Sequence, residues 1–214
     1  MNMDNMKFCP KCNYNIVDGP CQNCANIAKE ELIMVEKEKQ RDIWRLGGLK
    51  AYNQFTLEKY TNKAAVELCA GFPDKNLFIW GQAGTGKTHL ATAIVRQYQE
   101  ARVIKPQHIY RACRGIKDGE AEQDAINSFI NIPFLVIDDL GVDKKTDFSF
   151  QTLYEVIEGR DMAEKNGLII TSNLDLNALE TRMDDGRITS RLVGMCKVVE
   201  ITGSDWRLKN GRVE

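Results

Sequence analysis

Apolar positions in this chain form short unbroken runs, separated by longer stretches in which they recur every three or four residues. Leu77-Phe78-Ile79-Trp80, Phe134-Leu135-Val136-Ile137 and Leu168-Ile169-Ile170 are the runs. Each is short and apolar throughout, as strands covered on both faces are. His89–Gln99, Ala121–Ile130 and Phe148–Glu164 read as helices. In the last of these Phe150, Leu153, Tyr154 and Ile157 share a face, which suits a core better than a site. A helix over Asn62–Ala70 ends near Gly71 and Pro73, another starts near Leu176, and His108–Ala112 is predicted as a strand. Strands alternating with helices predict an α/β fold, a parallel sheet with helices on both faces.

The segment ahead of this pattern differs. Residues 1–25 carry Cys9-Pro10-Lys11-Cys12 and Cys21-Gln22-Asn23-Cys24 with few apolar positions. Two CxxC pairs eight residues apart suit a tetrahedral four-thiolate zinc site, each pair supplying two sulfurs from one knuckle. With all four positions filled by protein, such a zinc is structural, and its binding supplies the folding energy that a small core cannot. Paired redox motifs are the rival reading, but no thioredoxin-like pattern surrounds them. Residues 26–50 are dense in Lys, Glu, Gln and Arg and read as a charged helical linker ending at Gly47-Gly48. The core domain is then 51–214. Cys69, Cys113 and Cys196 are isolated and read as ordinary buried or half-buried thiols.

With 214 residues, 43% hydrophobic and 28% charged, the chain has the composition of a soluble globular protein. No run approaches the roughly 20 apolar residues of a membrane span, and the N-terminus lacks a signal-peptide layout. A cytoplasmic location without membrane contact is expected, where clustered cysteines point to metal and not to disulfides. The net charge of -1 means that any nucleic-acid binding must come from a local patch or an assembly.

Candidate chemistry gathers at the strand ends. Gly81-Gln82-Ala83-Gly84-Thr85-Gly86-Lys87-Thr88 fits GxxxxGK[ST] and lies between a strand and a helix, where a phosphate-binding loop works. Its glycines let successive N–H groups turn inward on a polyphosphate, and the helix adds its positive end. Lys87 would reach the β- and γ-phosphates of ATP, and the Thr88 hydroxyl would ligate Mg2+. Asp138 and Asp139 end the next central run, where the first acid can hold the metal shell and the second polarise water. Asn173, delivered by Thr171-Ser172-Asn173, either orients that water or touches the γ-phosphate, or else caps the helix beginning near Leu176.

The set of Gly81 to Thr88 with His89-Leu90, Asp138-Asp139-Leu140-Gly141, Thr171-Ser172-Asn173 and Arg187-Ile188-Thr189-Ser190-Arg191-Leu192 closely resembles the AAA+ ATPases of the DnaC/DnaI helicase-loader and IstB transposition-helper group. The resemblance runs from about Tyr52 onward. It implies a P-loop fold with a five-stranded sheet of order 5-1-4-3-2 and a nucleotide cradle from Gly81 through His89. Lys87 and Thr88 would be Walker A, Asp138 and Asp139 Walker B, and Asn173 sensor 1. It also implies Arg191 as an arginine finger acting on a neighbouring protomer in a ring or spiral, and Arg207 as the sensor 2 arginine. Arg187 and Arg160 are further candidates for a trans role. Two departures stand out. The second Walker B acid is Asp139 where many AAA+ proteins have Glu, which suggests slow or partner-gated hydrolysis, and little chain follows Arg207, which implies a truncated lid.

The cysteine pairs look like the N-terminal zinc-binding domain of DnaI-type loaders, which attaches the loader to the replicative helicase. The expected function is therefore ATP-dependent loading of a hexameric replicative DNA helicase onto single-stranded DNA, with ATP, Mg2+ and Zn2+ as cofactors. Tyr110 is a candidate for stacking on bases. An ATPase helper of DNA transposition is the main alternative. A small-molecule kinase would need an arginine-rich lid and an acceptor pocket, which the sequence does not offer. A non-hydrolysing adaptor whose zinc unit does the work is the remaining alternative.

Overall fold

The computed structural model describes residues 7–12, 15–16, 21–27, 29, 55–98, 100–164 and 167–206. The chain divides into two compact units, Met1–Ile43 and Trp44–Glu214. Nearly all of the expected linker at 26–50 lies outside the described residues. In the first unit β1 (Lys7–Phe8) pairs antiparallel with β2 (Asn15–Ile16), Lys7 opposite Ile16, and residues 22–27 are helical.

The second unit is built on five parallel strands: β3 (Asn76–Trp80), β4 (Ala101–Ile104), β5 (Phe134–Leu140), β6 (Leu168–Ser172) and β7 (Cys196–Glu200). Their order is β4-β5-β6-β3-β7, the expected 5-1-4-3-2 when counted within this unit. Seven helices among the described residues accompany them: α1 (Lys63–Leu68), α2 (Lys87–Val95), α3 (Pro106–Cys113), α4 (Gly119–Ile130), α5 (Asp147–Met162), α6 (Leu176–Met183) and α7 (Arg187–Met195). Successive strand residues serve opposite layers. Leu77, Ile79, Val136 and Ile169 pack with Leu90 and Ala91 of α2, while Phe78, Ile137 and Ile170 pack with Leu153 and Ile157 of α5. Both faces are covered, so the strands read as continuous apolar runs.

The strand expected at His108–Ala112 is helix α3, and the strand itself lies earlier, at Ala101–Ile104. Pro106 occupies the first turn of α3, where its missing N–H costs nothing, and Lys105 before it is extended. Pro106, Ile109 and Cys113 are the buried positions, at helical spacing. Tyr110 packs against the core and is half-buried, which removes it as an exposed stacking platform.

The sequence alone does not decide the role of Arg160. It is completely buried on α5 and donates through Nη1 to the carbonyls of Phe129, Ile130 and Ile132, at 3.4, 2.9 and 2.7 Å. These carbonyls end α4, so the guanidinium serves as an internal cap and faces no neighbour. Burial lowers its pKa to about 10.

β5 carries the irregularity that shapes the site. Ile137 pairs with Ile170 and Leu140 with Ser172, so two residues, Asp138 and Asp139, stand opposite the single Thr171. This bulge puts Asp139 in the left-handed region at φ 61° and re-aims its side chain at the carboxyl edge of the sheet. No described helix is long and apolar enough to cross a membrane.

Candidate nucleotide site

The loop from Gly81 to Thr88 runs from β3 into α2. Its three glycines are required by geometry, Gly81 because the Ile201 carbonyl stands where its Cβ would be. Gly86 caps α2 at φ 92°, and Gly84, at φ 77°, has the Asp205 carboxylate where a Cβ would stand. The Gly84 carbonyl in turn accepts the Trp206 N–H at 3.1 Å, so the segment after β7 rests on the loop. Lys87 is buried, and its ammonium donates to the Gly81 and Gln82 carbonyls at 2.9 and 2.7 Å.

Across the sheet edge stand the acids. Asp138 is buried, and its Oδ1 accepts the Thr88 hydroxyl at 2.7 Å and the Thr171 hydroxyl at 2.6 Å. Burial pushes its pKa up, the Asp139 charge adds to this, and the two hydroxyls offset part of it. A buried carboxylate beside a second one is a place where a divalent cation is favourable. Thr88 and Asp138 present hard oxygen donors side by side, which fits Mg2+. Asp139 pairs with Lys105 at 3.0 Å, and that carboxylate raises the Lys105 pKa. Lys105 was not a sequence candidate. The signal for it was Pro106, which marks the end of β4 and places Lys105 at the same carboxyl edge.

Ala83 to His89, Asp139 and Asn173 line one cavity of about 510 Å³ with Phe55, Tyr60 and Trp206. Its volume falls in the range of nucleotide and drug-sized pockets. His89 stacks on Phe55 at 4.7 Å between ring centres, meets Tyr60 edge-on at 5.1 Å and contacts the Thr56 carbonyl at 3.0 Å. The Tyr60 hydroxyl is buried with no hydrogen-bond partner among the described residues, and burial raises its pKa to about 12. A polar ligand atom would satisfy it. Asn173 is exposed toward the cavity, and the cap of α6 is Asp175, whose Oδ1 accepts the Ala178 N–H at 2.7 Å. The capping alternative for Asn173 is thereby excluded.

The profile of the IstB-like ATP binding protein family matches residues 25–213. The chain belongs to that family. It is similar to the replicative helicase loader DnaC of Escherichia coli (strain K12), 26% identical over 102 residues, 44% of this chain and 42% of DnaC. It is also similar to the ATP-binding protein of insertion sequence IS232 from Bacillus thuringiensis subsp. berliner, 23% identical over 144 residues, 64% of this chain and 57% of that protein. The chain thus spans about half the length of these curated relatives. Among solved structures, the DnaC helicase loader has a TM-score of 0.61 at 23% identity and covers 72% of this chain and 100% of its own. DnaI has a TM-score of 0.57 at 19% identity, covering 72% and 94%. These likenesses show the fold.

In this IstB-like chain Arg191 lies on α7 and does not line the nucleotide cavity. Its Nη2 donates to Glu158 at 2.7 Å and its Nη1 to Asp161 at 3.0 Å, both on α5. Arg187, one turn earlier, pairs with Asp185 at 3.0 Å and lies over the rings of Phe150 and Tyr154 at 5.0 and 4.9 Å. Arg207 lies outside the described residues.

The first unit of the IstB-like chain brings Cys9, Cys12, Cys21 and Cys24 together with all four sulfurs within 4.8 Å of one another. The nearest pairs are 3.4 to 3.6 Å apart, too far for a disulfide. A tetrahedron with ~2.3 Å zinc–sulfur arms has edges of about 3.8 Å, so the cluster fits the ion. Backbone N–H groups of Cys12 and Lys11 lower the Cys9 pKa, whereas the Cys12 and Cys9 sulfurs push Cys24 up to about 12. A divalent cation relieves that crowding. Cys69 and Cys113 are buried and Cys196 is half-buried.

Proposed function

We propose that this chain is an ATPase that loads a hexameric replicative DNA helicase onto single-stranded DNA. The observation that carries the reading is a nucleotide-sized cavity lined by Lys87, Thr88, Asp139 and Asn173, with buried Asp138 bonded to Thr88. Thr88 and Asp138 would hold Mg2+, which draws charge off the phosphates. Lys87 leaves its loop carbonyls for the β- and γ-phosphates, while Asp139 polarises the attacking water and Asn173 orients it. Arg191, outside its own cavity, enters a neighbour's site in a ring or spiral and stabilises charge on the transferring phosphoryl group. The four cysteines bind Zn2+ and form the unit that grips the helicase.

The test is capture of a hexameric replicative helicase by the full-length chain with ATP and single-stranded DNA. Capture that is lost after chelation of zinc is the expected result; no capture with metal and ATP present contradicts it. The longer match to the IS232 protein favours a second reading, an ATPase helper of DNA transposition. Filament formation stimulated by duplex DNA, without helicase capture, would select that one.

A further inference from the structure

We propose that Thr171 is the positioning residue that sets both acids of the site, an inference that rests on the ATPase reading above. Thr171 is fully buried near the end of β6, opposite the β5 bulge. In an unbroken ladder the Asp139 N–H would find a backbone carbonyl on its neighbouring strand. The shift of register between Ile137 and Leu140 breaks that pattern, and the Thr171 hydroxyl takes the N–H instead, at 2.9 Å. The same oxygen donates its proton to Asp138 Oδ1 at 2.6 Å. One hydroxyl therefore ties the backbone of the water-polarising acid to the carboxylate of the metal-holding acid.

Each link has a consequence. Asp139 sits at φ 61°, a region that a non-glycine residue occupies only when its surroundings hold it there. The bond to its N–H supplies that restraint and fixes the direction of the carboxylate. Asp138 Oδ1 accepts from Thr171 and Thr88 together, so its second oxygen is directed by a two-point anchor. Ser172, the next residue, bonds instead to the Leu140 carbonyl at 2.7 Å and closes the bulge from the other side. Lys87 and the glycine loop do not depend on this hydroxyl, and Asp138 keeps its bond to Thr88 without it, so Mg·ATP affinity is largely retained while turnover falls.

The experiment compares wild-type, T171V and T171S full-length chains by Mg·ATP affinity in calorimetry and by phosphate release at saturating ATP with single-stranded DNA. Valine keeps the branched shape and lacks the hydroxyl, whereas serine keeps the hydroxyl and lacks the methyl. T171V should bind Mg·ATP within about threefold of wild type while its turnover falls about 10- to 100-fold, the scale set by small misplacements of reacting groups. T171S should recover turnover to within about threefold of wild type. Should T171V fail to fold, T171C against T171S makes the same comparison, since a thiol is a poor substitute in both bonds. Turnover of T171V equal to wild type overturns the assignment, as does T171S as slow as T171V. A wild-type chain with no turnover overturns the ATPase reading itself and this assignment with it.

Discussion

The Asp139 carboxylate shares its charge with the Lys105 ammonium at 3.0 Å, and both side chains are partly open to solvent. A pair in that setting contributes on the order of 0.2–1 kcal/mol, enough to bias the acid and too little to lock it. The ammonium occupies one oxygen of that carboxylate and draws it toward β4, so Lys105 restrains the acid that the chemistry needs. Lys105→Met should therefore raise basal phosphate release about two- to fivefold, with Mg·ATP affinity unchanged. A fall in release would show that Lys105 assists the reaction. The loop, the acids and Asn173 were legible in the sequence because each is contiguous and sits beside an apolar run. Lys105 and Thr171 were not, because their roles depend on where β4 ends and on the bulge in β5. Neither feature has a local signature, and β4 is only four residues long, with Arg102 inside it.

Helices α5 and α7 hold the proposed finger. Arg191 bridges Glu158 and Asp161 with its side chain about 35% exposed, so each pair is again a weak one. A transferring phosphoryl group outbids it, since an arginine finger contributes about 10³ to 10⁵ in rate. Arg191→Ala should bind Mg·ATP normally and lose turnover. Mixed with Lys87→Ala, which keeps its finger and lacks a nucleotide grip, it should regain activity; no recovery on mixing contradicts action in trans. The sequence leaves Arg160, on α5, undecided, because burial cannot be read from a charged residue alone. Its place is decided by three carbonyls at the end of α4 that only tertiary packing brings near. Misreading α3 as a strand has a similar origin. Its window is short, and Pro106 reads as a helix start only once β4 is recognised before it.

At the scale of the molecule, a five-stranded sheet with its apolar faces covered carries the nucleotide site on one edge, and a separate small unit carries four clustered cysteines. The sheet order was legible from the family resemblance, and the alternation of strands and helices supplied the class. The cysteine cluster was legible because CxxC spacing is a chemical constraint that few other folds impose. Everything proposed about loading depends on whether the edge site breaks ATP. The most direct measurement is phosphate release from Mg·ATP in the presence of single-stranded DNA, wild type against Asp139→Asn, with binding measured in parallel. The account predicts turnover by wild type and, for Asp139→Asn, undiminished binding with turnover reduced at least about 100-fold. Equal turnover by the two chains would contradict it.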